Sequence, residues 1–184
     1  MTIRRAELSD AGSMVSIASA VNIERSSTLG SGLVEYRLSE EDYKRRIEGN
    51  PLAFVAATPV AGFILSYYSD FLRTLCESDE RARSDEIIEF VSQLEGHFVY
   101  ADQLCVLPKF QGQGIAFDLY EHSLTRIRKD GIPVLYGAIA HAPWRNEVLL
   151  GSSRKRGYRL ITEITAASGL TFGIYGKEIK RPAP

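Results

Sequence analysis

The chain carries Gln111-Gly112-Gln113-Gly114-Ile115-Ala116 between a strand-like run, Phe98 to Val106, and an amphipathic helix that ends near Lys129. The backbone N–H groups of a first helical turn have no intrahelical acceptor, and the helix dipole favours negative charge beside them. Gly112 and Gly114 add no side chain that would keep a phosphate away. This stretch therefore predicts an anion site for a phosphorylated ligand.

Other phosphate-binding loops fit the stretch less well. A nucleoside-triphosphate P-loop ends in Gly-Lys-Ser or Gly-Lys-Thr, and no such string occurs in the chain. The dinucleotide fingerprint needs a third glycine where Phe117 stands, and an acid after the next strand, where His141 is the first polar residue. The two glycines alone are weak evidence for a nicotinamide or flavin site.

The composition indicates one globular domain. A length of 184 residues, with 45% hydrophobic and 24% charged residues, suits one substantial core and is short for two full domains. The net charge of −1 supplies no basic field that would collect nucleic acid or an anionic membrane surface. We expect residues 1–180 to form a single domain and 181–184 a tail, with no nucleic-acid partner.

Cysteine usage and hydropathy indicate a setting away from oxidising compartments and membranes. Cys76 and Cys105 are too isolated for a disulfide framework or a CxxC metal site, which favours a reducing, cytoplasmic setting. The apolar neighbours of Cys105 favour a buried thiol over a nucleophile. The most apolar stretch, Pro51 to Leu65, is interrupted by Thr58-Pro59 and Gly62, so it predicts two buried strands and no membrane span. Neither metal-ligand spacing of histidines nor an apolar leader occurs, so we expect no metal and no cleaved signal.

Hydrophobic periodicity and capping residues predict alternating strands and helices. We expect a helix after Ser84-Asp85, inside a charged insertion at about 69–95. The other predicted elements are strands over 2–6, 52–57, 60–68, 98–106, 132–140, 158–166 and 170–179, and helices over 11–23, 40–48, 115–129 and 143–155. The fold class is α/β or α+β with a mixed sheet.

Two short signatures occur in order, separated by one predicted strand. The first is the strand end Leu104 to Pro108 followed by Gln111-x-x-Gly114-x-Ala116, and the second is Asn146 eleven residues before Gly157-Tyr158. Together they resemble the GNAT superfamily of acetyl-coenzyme A-dependent N-acetyltransferases. The resemblance implies a mixed, mostly antiparallel central sheet of about six to seven strands, flanked by helices and splayed between its two central parallel strands.

The resemblance also implies that acetyl-CoA is the co-substrate. Leu104, Cys105 and Val106 would pair their backbone with the pantetheine arm like an added strand. An N–H near Val106 would hold the thioester oxygen as charge develops on it. Asn146 either caps its own helix or binds the pantetheine amide. The implied pyrophosphate-binding residues are Gln111, Gly112, Gln113, Gly114, Ile115, Ala116 and Phe117.

Acetyl transfer to an amine needs a base for the amine proton and gains from an acid at the departing thiolate. Many family members place a glutamate where this chain has His141, and an imidazole is a common general base; the alternative is a polar residue at a strand end. Asp102 is the second candidate base, or else a hydrogen-bonded strand residue. Ser153 occupies the position where the family has a tyrosine that acts as the general acid. Because a serine hydroxyl is a poor proton donor, either it holds a water at the sulfur, another group such as Tyr120 or Tyr158 donates, or the thiolate leaves without direct help.

The resemblance implies a small-molecule or peptide amine as acceptor, and it allows a homodimer. Glu24 to Val34, Tyr67, Tyr68 and Asp70 would line the acceptor side, with the charged insertion either a lid beside it or a surface connector. Two rival interpretations stay open. A non-catalytic acyl-CoA-binding module of the same fold would account for Ser153, and a different phosphate-binding α/β protein would share only the glycine turn.

Overall fold

The computed structural model describes residues 1–21, 38–57, 59–143 and 145–180. The segment from Glu24 to Val34, predicted to line the acceptor side, and the predicted tail, 181–184, lie outside these residues. The strands are β1 (Thr2–Arg5), β2 (Ala53–Ala57), β3 (Gly62–Tyr68), β4 (Phe98–Val106), β5 (Val134–Ala142), β6 (Arg159–Thr165) and β7 (Thr171–Glu178). The α-helices are α1 (Ala11–Ala20), α2 (Glu40–Ile47), α3 (Ser69–Ser78), α4 (Glu80–Arg83), α5 (Glu86–Ser92), α6 (Ile115–Lys129) and α7 (Glu147–Lys155).

The strands form one mixed sheet in the order β1-β2-β3-β4-β5-β7-β6. β4 and β5 run parallel, whereas β1 with β2, β2 with β3, β5 with β7 and β6 with β7 pair antiparallel. The mixed, mostly antiparallel sheet predicted from the sequence is confirmed. The parallel register covers Phe98–Ala101 and Val134–Gly137, so it ends before either strand does.

The chain divides into two compact units, and strands β3 and β4 contribute to both. Unit 1 comprises Met1–Ser66 and Asp102–Arg126, and unit 2 comprises Tyr67–Ala101 and Ile127–Pro184. Taken alone, the sheet of unit 1 ends with residues 102–106 of β4 as its edge strand. The sheet of unit 2 starts with the first half of β4 and continues through β5 and β7 to β6.

Helix α2 anchors the core of unit 1. Its first turn carries a capping box, because the Ser39 side chain accepts from the Asp42 N–H and the Asp42 carboxylate accepts from the Ser39 N–H. Tyr43, one residue later, is fully buried and meets Phe63 of β3 edge-on, with ring centroids 5.7 Å apart. Arg46, one turn further along, points into the same interior. The cap thus fixes which face of α2 is inward.

The charged insertion folds as three short helices of unit 2, where the sequence predicts one. Asp79 and Asp85 cap α4 and α5 with their carboxylates. Arg73 of α3 donates to the carbonyl oxygens of Ser92 and Leu94, which fastens the end of α5 to α3. Charged side chains occupy most positions of α4. Its sequence therefore lacks the apolar residues at helical spacing from which a helix is predicted.

Neither a membrane-spanning helix nor a metal cluster occurs in the described part of the chain. The 15 residues of α6 fall short of the roughly 20 that cross a bilayer. No helix among residues 1–21, 38–57, 59–143 and 145–180 is long and apolar enough to span a membrane. Within these same ranges, no group of three or more His, Cys, Asp or Glu side chains is placed to hold a metal ion.

Arg4 and Asp10 form a forked ion pair at the start of α1. Nη1 of Arg4 lies 2.7 Å from Oδ2 of Asp10, and Nη2 lies 2.8 Å from Oδ1. The hydrogen bond from Arg4 holds the pKa of the Asp10 carboxyl below its ordinary value of 3.8. A carboxyl with a lowered folded pKa contributes stability above its unfolded pKa, and this contribution is lost as the pH falls through the folded pKa.

We expect Asp10→Asn to lower the free energy of unfolding near neutral pH. The loss should be only about 1 kcal/mol, because the Arg4 side chain is 37% exposed and solvent screens the pair. The difference from the wild type should shrink as the pH falls below about 4. Urea denaturation at neutral and acid pH measures it, and a difference that stays constant into strong acid would contradict the assignment.

Candidate active site

The glycine turn of unit 1 has the geometry that the sequence predicts. β4 ends at Val106, a short 3-10 turn spans Pro108–Phe110, and α6 begins at Ile115. Gly112 and Gly114 have φ angles of +76° and +82°, a left-handed conformation that residues with a side chain rarely adopt. The first α-helical hydrogen bond of this segment runs from the Asp118 N–H to the Gly114 carbonyl. The donors that helix geometry offers to a ligand therefore lie at the glycine end.

Two glutamine side chains tie the turn to the chain before it. Nε2 of Gln111 donates to the carbonyl of Val106 at 3.1 Å. Nε2 of Gln113 lies 3.4 Å from the carbonyl oxygen of Lys109, a longer hydrogen bond. Each carboxamide thus makes one hydrogen bond to a backbone carbonyl before the turn.

The end of β4 presents its backbone as an edge strand of unit 1. The Leu107 N–H donates to the Ala61 carbonyl at 2.9 Å. On the same side, a Cβ added to Gly62 would lie 2.7 Å from the Cys105 carbonyl oxygen and 3.3 Å from Cα of Val106. β3 can approach β4 this closely only because residue 62 is glycine. One side of the Leu104–Val106 backbone is thereby fixed by the protein.

Cys105 is buried, as its apolar neighbours predict. It is 2% exposed, and burial raises the pKa of its thiol, with a further contribution from the charge of Asp102. A thiol of this kind stays protonated and is a weak nucleophile.

Asp102 forms a buried ion pair in unit 1. Its Oδ2 lies 3.1 Å from Nη1 of Arg46, and the two side chains are 3% and 1% exposed. Beside the pair, the Tyr43 hydroxyl donates to Oε1 of Gln103 at 2.7 Å, and burial raises the pKa of Tyr43. The Asp102 carboxylate thus accepts from a buried guanidinium. This contact favours a structural role for Asp102.

Asn146 caps helix α7 in unit 2. Its Oδ1 accepts from the Leu149 N–H at 3.0 Å, and its own N–H donates to the Ala140 carbonyl at 3.1 Å. Of the two roles that the sequence leaves open, the capping role is present. The contact with a pantetheine amide stays a prediction.

Ser153 is buried in the last turn of α7, at 7% exposure. It lies three residues after Leu150, which packs in a cluster with Ile139 and Tyr175. Residues three apart share a helix face, so Ser153 is on the side of α7 that covers the sheet of unit 2. Tyr158, another candidate acid, packs against the same cluster.

His141 of β5 is held by two side chains that the sequence did not single out. Its Nδ1 lies 2.5 Å from Oε1 of Glu163 on β6, and its Nε2 lies 2.9 Å from the hydroxyl of Tyr175 on β7. Glu163 and Tyr175 follow His141 by 22 and 34 residues. The strand pairing brings the three side chains together, and no local sequence motif predicts these contacts.

The predicted acceptor side is only partly described. Glu24 to Val34 fall outside the described residues. In unit 2, Tyr67 stacks on Phe71 with ring centroids 5.7 Å apart, and the Tyr68 hydroxyl bonds to Asp130. Asp70 pairs with Arg73 at 3.2 Å. Each of these residues has a partner within its own unit, and their contact with an acceptor stays a prediction.

Comparison with known proteins identifies the family. A model described as "Acetyltransferase (GNAT) family" matches residues 19–146, more than half of the chain. No curated protein sequence matches the chain. The ribosomal-protein-S18-alanine N-acetyltransferase of Escherichia coli has a similar structure, with a TM-score of 0.66 and 15% identity over 99% of this chain and 96% of that one.

Two further solved structures show the same fold. The protein yncA of Salmonella typhimurium, solved with acetyl-CoA, gives a TM-score of 0.64 at 16% identity and covers 100% of this chain and 96% of that one. The polyamine N-acetyltransferase of Drosophila melanogaster gives 0.65 at 13% identity over 96% and 99%. The fold, the glycine turn and the family match lead to one conclusion. This chain belongs to the GNAT acetyltransferase family and is an acyltransferase.

Proposed function

We propose that this protein transfers the acetyl group of acetyl-CoA to a primary amine of a small molecule or peptide, by direct attack of the amine. The observation that carries this proposal is the glycine turn, with two positive φ angles immediately before α6. Such a turn binds an anion through its backbone without any requirement for a charged side chain. The acceptor amine acts as the nucleophile, and no covalent enzyme intermediate forms.

The residues of unit 1 fit coenzyme A. A Cβ added at Gly112 or Gly114 would meet nothing within 4 Å, so the turn has open space where a pyrophosphate would lie. We assign the pyrophosphate to the backbone of Gly112 to Phe117 and the pantetheine arm to Leu104–Val106. When bound, acetyl-CoA supplies the activated thioester. The protein holds it by backbone hydrogen bonds along the edge of β4.

Among the candidate bases, we assign proton uptake to His141. Asp102 is engaged by Arg46 in the interior of unit 1, whereas the His141 imidazole lies against the side chains of Glu163 and Tyr175. Ser153 replaces the family's tyrosine, and we assign it a water-binding role, since an aliphatic hydroxyl is a poor acid.

The relatives of known activity support an amine as the acceptor. The Escherichia coli enzyme acts on an alanine of ribosomal protein S18, and the Drosophila enzyme forms N-acetylagmatine. Both products are amides of an amine. We further propose that residues 1–180 act as one N-acetyltransferase domain. We place the protein in the cytoplasm, where the free Cys76 and Cys105 would stay reduced. We also propose a homodimer, which sedimentation would detect.

Incubation of the protein with acetyl-CoA and a panel of amines tests the proposal. The panel contains peptides with free N-termini, polyamines, agmatine and arylalkylamines, and the readout is thiol release together with the mass of the acetylated product. We expect at least one acceptor to raise thiol release above hydrolysis. Coenzyme A binding by calorimetry with no turnover on any amine would instead favour the non-catalytic acyl-CoA-binding module. No binding at all would favour an unrelated phosphate-binding protein.

A further inference from the structure

A groove of about 560 Å³ opens on the surface of unit 2, beside the start of β5, the start of β6 and the end of β7. All the residues that line it belong to unit 2, and none of them is a candidate residue for acetyl transfer. Small-molecule sites in proteins have volumes of about 300–1,000 Å³. The groove therefore has room for a ligand as large as a nucleotide.

Cationic side chains dominate the lining of this groove. Of its twelve described lining residues, one, Glu178, is acidic, and five are basic, namely Arg128, Arg156, Arg159, Lys177 and Lys180. The whole chain has a net charge of −1, so the positive excess is local. Clefts lined by one sign of charge focus the electric field and attract ions of the opposite sign. The groove therefore favours a ligand with several negative charges.

Helix geometry accounts for only two of these cations. Arg128 lies in the last turn of α6 and Arg156 directly follows α7, positions where a helix dipole stabilises a positive charge. Arg159 begins β6, and Lys180 lies two residues after the end of β7. Both are exposed, and no helix dipole explains their position. Separate segments thus bring positive charge to one groove, which fits the binding of an anion.

Gly176 of β7 gives the groove a flat apolar floor. A Cβ at this position would lie 2.9 Å from Cε1 of Tyr136 and 3.3 Å from Cδ1 of Ile161. Gly176 pairs with Tyr136 of β5 on one side and with Arg159 of β6 on the other. Residues paired directly across strands project to the same face of a sheet. Because residue 176 has no side chain, the tyrosine ring and the isoleucine side chain approach each other over β7, in the same row as Arg159.

A β-bulge places Ile161 on this floor. The register between β6 and β7 shifts between Leu160 and Thr162, so Ile161 occupies the irregular position. Ile161 is 54% exposed, and Tyr136 is half-buried. Bulges re-aim side chains and occur frequently beside functional sites. The groove thus offers open apolar surface next to its cations, which a bare phosphate would leave uncovered.

We propose that this groove binds a nucleoside triphosphate. The planar base lies on the floor formed by Tyr136 and Ile161, since bases stack on aromatic side chains, and the phosphates lie against the arginines. A guanidinium binds phosphate oxygens in a fork of two hydrogen bonds. Side chains supply the charge, so this mode of binding needs no P-loop. The site is built from unit 2 alone, whereas the residues assigned to the coenzyme A pyrophosphate belong to unit 1.

Calorimetric titration of the full chain with ATP, tripolyphosphate and adenosine, without divalent metal ions, tests the proposal. We expect ATP to bind and tripolyphosphate to bind about 10-fold more weakly, a loss of the size that removing one base stack causes. Adenosine, which lacks the charges, should bind more weakly than either. A wild type that binds no ATP, or that binds tripolyphosphate as tightly as ATP, would overturn the nucleotide site.

Single substitutions test the contribution of each part of the groove. Arg159→Gln should weaken ATP binding about 10- to 100-fold, because hydrogen bonds to a charged group are lost. Glu178→Gln should strengthen it about 2- to 5-fold, a gain that damage to the fold does not produce. Ile161→Thr should weaken binding of ATP about 5-fold and leave that of tripolyphosphate unchanged. Arg154→Gln, which removes an exposed arginine of α7 outside the groove, is the matched control and should not change ATP affinity.

Two further comparisons distinguish this groove from the glycine turn, which also offers donors to phosphates. Gly114→Val should leave ATP affinity unchanged, and Arg159→Gln should leave coenzyme A affinity unchanged. If Gly114→Val abolishes ATP binding and Arg159→Gln does not weaken it, ATP binds at the turn and the proposal is wrong. If Arg159→Gln weakens the binding of coenzyme A and of ATP equally, the groove belongs to the coenzyme site and the proposal also fails. These measurements need no acceptor amine, so their outcome is independent of the proposed acetyl transfer.

Discussion

Replacing Arg46 by methionine is expected to lower the free energy of unfolding by about 3–5 kcal/mol, the cost of removing one member of a buried ion pair. The Arg46 and Asp102 side chains are 1% and 3% exposed, and the bond between them is 3.1 Å long. Methionine fills most of the arginine volume, so the loss comes mainly from the charged contact with Asp102 that it removes. Urea denaturation at neutral pH measures the difference.

Two further variants sharpen this experiment. Lys44→Met removes a cation from the same helix, but its pair with Glu40 is on the surface, so the free energy of unfolding should stay nearly unchanged. Removing both buried charges, in Arg46→Met with Asp102→Leu, should recover most of the lost stability. If that double variant is stable and still acetylates its amine, Asp102 is not the base. A stability loss in Arg46→Met no larger than in Lys44→Met would contradict the buried pair.

Replacing Gly114 by valine is expected to weaken coenzyme A binding by about 100-fold. The φ angle of +82° strains a β-branched residue, and the added side chain keeps the pyrophosphate from the backbone N–H groups. Each hydrogen bond to a charged group contributes about 1.5–3 kcal/mol, so the loss of one or two gives a change of this size. Calorimetric titration with coenzyme A measures the affinity.

Gly96 supplies the matched control for backbone strain. Its φ angle is +84°, and a Cβ there would meet nothing within 4 Å, as at Gly114. Gly96→Val should therefore destabilise the fold to a similar extent while leaving coenzyme A affinity unchanged. If the Gly114→Val variant and the wild type bound coenzyme A equally well, the assignment of the turn to the cofactor site would be wrong.

Local sequence signals gave much of the fold because they act through neighbouring residues. The bounds of β4, Phe98–Val106, and the start of α6 after Gly114 match the prediction, since alternation and a glycine turn are visible within a few residues. The Ser39 cap of α2 is equally local. The sequence predicted only one of the three helices of the insertion. Short helices with charged faces lack an apolar stripe and are held by distant contacts such as that of Arg73 with Ser92.

The candidate site residues also divide into those with partners nearby in the sequence and those with distant partners. The capping role of Asn146 involves a residue three positions ahead and was within reach of the sequence. The partner of Asp102 lies 56 residues away on α2, and the partners of His141 lie on two other strands. Such contacts depend on strand order and register, which one sequence does not reveal.

The sequence by itself determined the glycine turn, the alternating elements and the family, because these depend on residue type and spacing along the chain. Only the tertiary structure decided which side chains contact the candidate residues within each unit. The β5-β7-β6 pairing put Glu163 and Tyr175 on the two nitrogens of His141, and the packing of α2 put Arg46 on Asp102. Those pairings need residues far apart in sequence to be brought within hydrogen-bond distance, and burial, which only folding creates, makes their charges consequential.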